Sequence, residues 1–158
     1  MKNKKYYDSL STLPIWNFFK IKLTGQLIYL LKVDNHEEIQ VEKTDLIELY
    51  EKWEKLDAEF ITRFAMNQEF INRCLIEKSI LLLKLEELTS KDPFIANRIK
   101  AEEMKLENEE EQKGEFDIDK TVGHVEKFMG FQIDVFKTPI AKLYSYIKQM
   151  KEQAVKSA

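Results

Sequence analysis

One cysteine, three prolines, four glycines and two histidines stand among 158 residues. Each shortage excludes something. A single cysteine, Cys74, excludes an internal disulfide and fits a reducing cytoplasm. Seven proline and glycine residues in all are too few for the turns of an all-β fold. The four glycines are scattered, so no glycine-rich phosphate loop is present. With two histidines, no Glu-x-x-His pair forms, and a di-iron bundle needs that pair on facing helices. His36 adjoins Glu37 and Glu38, but three adjacent residues on a regular element do not converge on one ion, so no metal is expected there. Neither histidine nor Cys74 sits in a nucleophile motif. The chain reads as a non-enzyme without cofactor or metal.

Long hydrophobic runs are also missing. Lysines open the chain, but Asp8, Asn17, Lys20 and Lys22 interrupt the apolar residues behind them. That pattern is neither a signal peptide nor a membrane span. Hydrophobic residues still make up 44%, which is too apolar for a disordered chain.

Charge is present and segregated. The net value is −3. Residues 1–32 hold six lysines against one aspartate, residues 101–119 nine acids against two lysines, and residues 120–158 seven lysines against three acids. Basic ends around an acidic middle can fold onto one another or join neighbouring copies head to tail.

The stretch from Thr44 to Leu88 organises the rest. It runs 45 residues without glycine or proline, and its apolar positions recur at helical spacing. Thr44 or Asp45 offers a cap. One unbroken helix would reach about 65 Å. The alternative is two antiparallel helices meeting near residues 64–67, where the stripe is interrupted. With no glycine or proline to mark a turn, one long or gently kinked helix is favoured. Trp53, Phe60, Phe64, Ile71, Leu75, Leu82 and Leu85 are its expected core, and the run Ile80–Leu85 is apolar almost all round.

Around that stretch the remaining segments fall into place. Residues 1–9 are a polar, flexible N-terminus. Residues 10–32 form an aromatic helical foot: Ser11 or Thr12 caps it, Pro14 lies in its first turn, and Gly25 ends its first helix before a second from Gln26 to Lys32. Asp92 and Pro93 start a charged helix over 93–113. Residues 119–155 hold C-terminal helices, with Asp119 as cap, Gly130 as terminator and Thr138-Pro139 starting the last helix. The expected architecture is a single all-α domain over 1–158: a long central helix with short N-terminal helices and a C-terminal segment packed on it, an extended helical bundle.

Tyr6, Tyr7, Trp16, Phe18, Phe19 and Tyr29 crowd the foot and are the candidate partner-binding residues, because aromatics dominate interface hot spots. The alternative is a nucleic-acid-binding or regulatory protein using Lys2, Lys4, Lys5, Lys20 and Lys22. The acidic balance and the three arginines argue against it. A helix-turn-helix is also disfavoured, since the link from Gly130 to Thr138 is longer than the usual three or four residues.

Leu13-Pro14-Ile15-Trp16-Asn17 with Gly25 downstream, Met129-Gly130-Phe131, Thr138-Pro139 and Leu143-Tyr144-Ser145-Tyr146-Ile147-Lys148 resemble small helical virion and morphogenesis proteins of tailed bacteriophages. The likeness covers about a third of the chain and brings no catalytic residue. It implies many copies, a partner protein or self-association, no enzymatic chemistry, and a place in the cytoplasm or the virion.

Overall fold

A computed structural model describes residues 6–36, 39, 41–64, 68–113 and 117–156, with the backbone alone at 68–70 and 109–113. The fold is all-α. Six helices are described: α1 (Ile15–Thr24), α2 (Lys43–Phe64), α3 (Gln68–Glu87), α4 (Ile95–Lys113), α5 (Ile118–Met129) and α6 (Ile140–Lys156). A short 3-10 turn, Leu27–Leu30, follows α1. No described helix is long and apolar enough to cross a membrane.

The chain divides into two compact units. The first joins the two chain ends, Met1–Glu37 with Asp117–Ala158, and the second is Glu38–Phe116.

The second unit corrects the single central helix. Lys78 Nζ lies 2.7 Å from Glu54 Oε1, although the two residues are 24 apart in sequence. On one straight helix that separation would be about 36 Å. The stretch 44–88 is therefore two helices, α2 and α3, with α3 turned back along α2. Residues 65–67, the meeting point in the two-helix alternative, lie outside the described residues. The interruption of the stripe near residues 64–67 was the only sign of the reversal, which neither glycine nor proline marks.

The core of this unit also differs from expectation. On α2, Leu49, Tyr50, Trp53, Leu56 and Phe60 are buried at spacings of one, three and four, which is one face of a helix. Trp53 and Phe60 are as expected, whereas Phe64, Ile71 and Leu85 are half-buried and Leu75 and Leu82 are 54% and 44% exposed. Cys74, Ile80 and Leu83 fill the α3 core instead, and Leu83 packs with Ile95 and Ile99 of α4. Two packing partners need only one stripe of α3, so the apolar run Ile80–Leu85 is buried on one side alone.

Local start signals are shifted by a residue or two. Helix α2 begins at Lys43, which puts Thr44 and Asp45 inside its first turn. Asp92 Oδ1 accepts from the Phe94 N–H at 2.9 Å and α4 starts at Ile95. Asp117, not Asp119, caps α5, accepting from the Lys120 N–H at 2.9 Å. Asp119 then sits in the first turn, where its charge suits the helix dipole.

In the first unit the foot and the C-terminal helix hold each other. Pro14 and Pro139 form an antiparallel bridge. The Ile15 and Trp16 N–H groups donate to Thr138 and Val135 carbonyls at 2.9 and 3.0 Å, and those of Ile140 and Ala141 donate to Leu13 and Leu10 at 2.9 and 3.2 Å. Helix α1 has no side-chain cap, so Ser11 and Thr12 do not serve as one and Pro14 precedes the helix. Neighbouring backbone replaces it and satisfies the exposed first-turn donors. Gly25 ends α1 and Gly130 ends α5, with φ of 68° and 77°, the left-handed conformation that glycine adopts without strain. Leu10, Leu13, Ile15, Phe18, Ile21, Leu30, Leu31, Ile140 and Leu143 are essentially inaccessible.

Candidate functional site

The six aromatic candidates separate by burial. Phe18 and Phe19 are 1% and 6% exposed and pack edge to face, ring centroids 5.5 Å apart. They belong to the core, so they are unavailable to a partner while the fold is intact. The sequence groups them with the other candidates because a ten-residue helix gives few clues to which of its faces are covered.

The other four are half-buried. Tyr6 bridges Leu31, and the Tyr7 N–H donates to the Leu30 carbonyl at 2.8 Å. Burial, and behind it the Asp34 carboxylate, push the Tyr7 phenol above its usual range. Tyr29 leans on His36 with centroids 4.9 Å apart, and its carbonyl accepts from buried Asn17 at 2.9 Å. The His36 ring nitrogen Nε2 lies 3.0 Å from the Leu31 carbonyl. Glu37 and Glu38, named with His36 as a metal trio, lie outside the described residues. Among those described, no group of three His, Cys, Asp or Glu side chains is placed to hold an ion.

Trp16 differs from the rest. Its ring meets Phe136 at 5.2 Å between centroids, and Lys20 Nζ sits 4.6 Å from the indole centroid. A second pair joins the connection between α5 and α6 to α6 itself: Phe131 against Tyr146 at 5.4 Å, with Lys142 Nζ 5.8 Å from the tyrosine ring. Phe131 and Phe136 are 43% and 61% exposed, and Phe128 at the end of α5 is also exposed. Ring pairs with cations over them gain quadrupole attraction of about 0.5–1 kcal/mol at exposed sites. Sequence reading placed the aromatic surface in the foot and missed its larger share on 128–136. The available signal was the triplet Phe128, Phe131 and Phe136 beside two helix boundaries.

The second unit carries a groove of about 570 Å³, lined by Ile47 of α2, by Ser79, Leu82, Leu83, Leu85 and Glu86 of α3, by Thr89, and by Arg98 of α4. Ile47 and Leu82 present exposed apolar surface to it, and Leu75, seven residues before Leu82 on the same helix, is exposed as well. Glu86 and Arg98 add one charge of each sign.

A polar cluster ties α2 to α3 nearby. Tyr50 and Asp57 are buried, and the Tyr50 hydroxyl has no hydrogen-bond partner among the described residues. Burial raises the Tyr50 phenol, Glu54 and Asp57 add to that, and Lys78 opposes it. The Lys78 ammonium is raised chiefly by its hydrogen bond to Glu54.

Comparison with protein-family models, curated proteins and solved structures finds no match.

The lysine set of the alternative reading divides as well. Lys20 lies over Trp16, Lys22 is in the last turn of α1, and Lys2, Lys4 and Lys5 lie outside the described residues.

Proposed function

We propose that this chain is a non-enzymatic structural or assembly protein that acts by binding other protein subunits. The observation that carries the reading is the groove of the second unit, where Ile47 and Leu82 stay exposed between packed helices. Apolar side chains gathered in a concavity between helices are the usual seat of a partner's hydrophobic anchor. The unit around it holds twenty acids against twelve lysines and arginines, a net −8. Its partner is therefore a protein segment with apolar anchors and positive charge. The likeness to small virion and morphogenesis proteins of tailed bacteriophages supports the same class, a subunit used in many copies.

Native purification of the full chain with light scattering tests this reading. The expected result is a mass above the 18.8 kDa of one chain, or a stoichiometric protein complex, lost in Leu82→Glu. Leu82 is exposed, so the substitution leaves the fold in place, which far-ultraviolet circular dichroism checks. A lone monomer with no stoichiometric protein partner overturns the proposal.

A further inference from the structure

We infer that the chain assembles head to tail, the α5–α6 connection of one copy docking on the groove of the next. This rests on the assembly reading above and names the partner it leaves open. The first unit holds thirteen lysines against eight acids, a net +5, whereas the second is −8. One chain thus carries both halves of a complementary pair. The connection supplies the anchors: Phe136 is 61% exposed and Phe131 43% exposed, each set against another ring. Lys142 stands over the tyrosine of the second ring pair, and Lys137, 3.5 Å from Asp134, has a side chain 86% exposed. Exposed aromatics fit an apolar concavity, and Ile47 and Leu82 supply one in a unit whose net charge of −8 attracts the +5 unit of the next copy.

Other polyanions fit the connection less well. A nucleic acid or an anionic membrane extends well beyond the ten residues of the connection, 130–139, and meets the −8 unit as well. A protein surface docks locally and is drawn by both charges.

The two contact surfaces differ, so the interface is heterologous and extends from copy to copy. That geometry has a distinctive test in the full-length chain. Light scattering of the parent should show mass rising with concentration to at least twice that of one chain. The mass should fall when salt is raised from about 0.1 M to about 1 M, which shortens the screening length from about 10 Å to about 3 Å. Phe136→Glu and Leu82→Glu should each be monomeric. Mixed together they should give a dimer and nothing larger, because one retains a sound groove and the other a sound connection. Lys137→Glu, at a more exposed position, should weaken association without touching a ring.

A parent of single-chain mass at every concentration overturns the inference, as does a mixture that stays monomeric. Single-stranded DNA oligonucleotides or phosphatidylglycerol vesicles bound by a monomeric parent and released by Phe136→Glu overturn it in favour of a polyanion. A monomeric parent that still forms a Leu82-dependent complex with a different protein overturns the head-to-tail inference and leaves the assembly reading standing.

Discussion

Pro14 and Pro139 face each other across an antiparallel bridge, and each stands one residue before a helix whose first amides the other's lead-in carbonyls accept. Proline suits both places, since its fixed φ leads into a helix and its missing N–H leaves no donor to satisfy. The arrangement makes the two chain ends one packed body. Leu13 and Ile140, adjacent to the bridge and both 0% exposed, should each cost about 2–5 kcal/mol when cut to alanine. Their effects should not add. A double-mutant cycle by urea denaturation should show coupling of about 0.5–3 kcal/mol, the range for residues in one contact network. Strict additivity would mean that the ends fold independently.

Alkali should loosen the α2–α3 pairing. Below its ordinary value of 10.0, Tyr50 keeps its proton folded or unfolded, so it adds no slope there. Above that value the unfolded chain releases the proton first, because burial raises the folded phenol, and stability falls. Lys78 acts in the same direction. Its folded ammonium is raised, so its contribution is full below 10.5 and is lost as pH rises through the folded value. Urea denaturation between about pH 8 and about pH 11 should show falling stability, with a shallower fall in Tyr50→Phe. At neutral pH that substitution should be neutral or stabilising by up to about 1 kcal/mol, since it removes a buried hydroxyl with no hydrogen-bond partner among the described residues.

Fold class and most helix positions were legible because they depend on local chemistry. The apolar period marked the helices, Gly25 and Gly130 marked two of their ends, and Asp92 marked a start. The reversal between α2 and α3 was not legible. Helical periodicity is blind to direction, and the Lys78–Glu54 ion pair that proves the reversal is tertiary. Burial failed at Leu75 and Leu82 for a related reason. Periodicity tells that a stripe is apolar but not how many neighbours arrive to cover it, and α3 has two, α2 and α4. The candidate site suffered most. Phe18 and Phe136 look alike in sequence, yet one is 1% exposed and the other 61%, because only packing against α6 and the chain ends distinguishes them.

Leu82 and Leu83 offer a direct measure of that limit. They are adjacent and chemically identical and both line the groove, but Leu83 is buried against Ile95 and Ile99 while Leu82 is 44% exposed. Leu83→Ala should cost about 2–5 kcal/mol. Leu82→Ala should stay within about 0.5 kcal/mol, the range for surface positions. Chemical denaturation of the two variants under conditions that keep the chain monomeric separates them. Equal losses would place both leucines in a core and would remove the groove on which the assembly proposal depends.

Two glycines of α5 and its C-terminus should respond to alanine with opposite signs. Gly123 lies inside the helix and is exposed, and a methyl group there would meet nothing within 4 Å. Alanine restricts the unfolded chain and propagates helix better, so Gly123→Ala should stabilise by about 0.5–1 kcal/mol. Gly130 has the same open space around it but φ of 77°, where a Cβ crowds the following carbonyl oxygen. Gly130→Ala should therefore destabilise by about 1–2 kcal/mol, all of it from backbone strain and none from a side-chain clash. Thermal denaturation monitored at the helical band compares the two. An asparagine at position 130, which tolerates the left-handed region better than alanine does, should recover part of the loss. If alanine is harmless at 130, the left-handed turn does not set the path from α5 into the connection that carries Phe131 and Phe136.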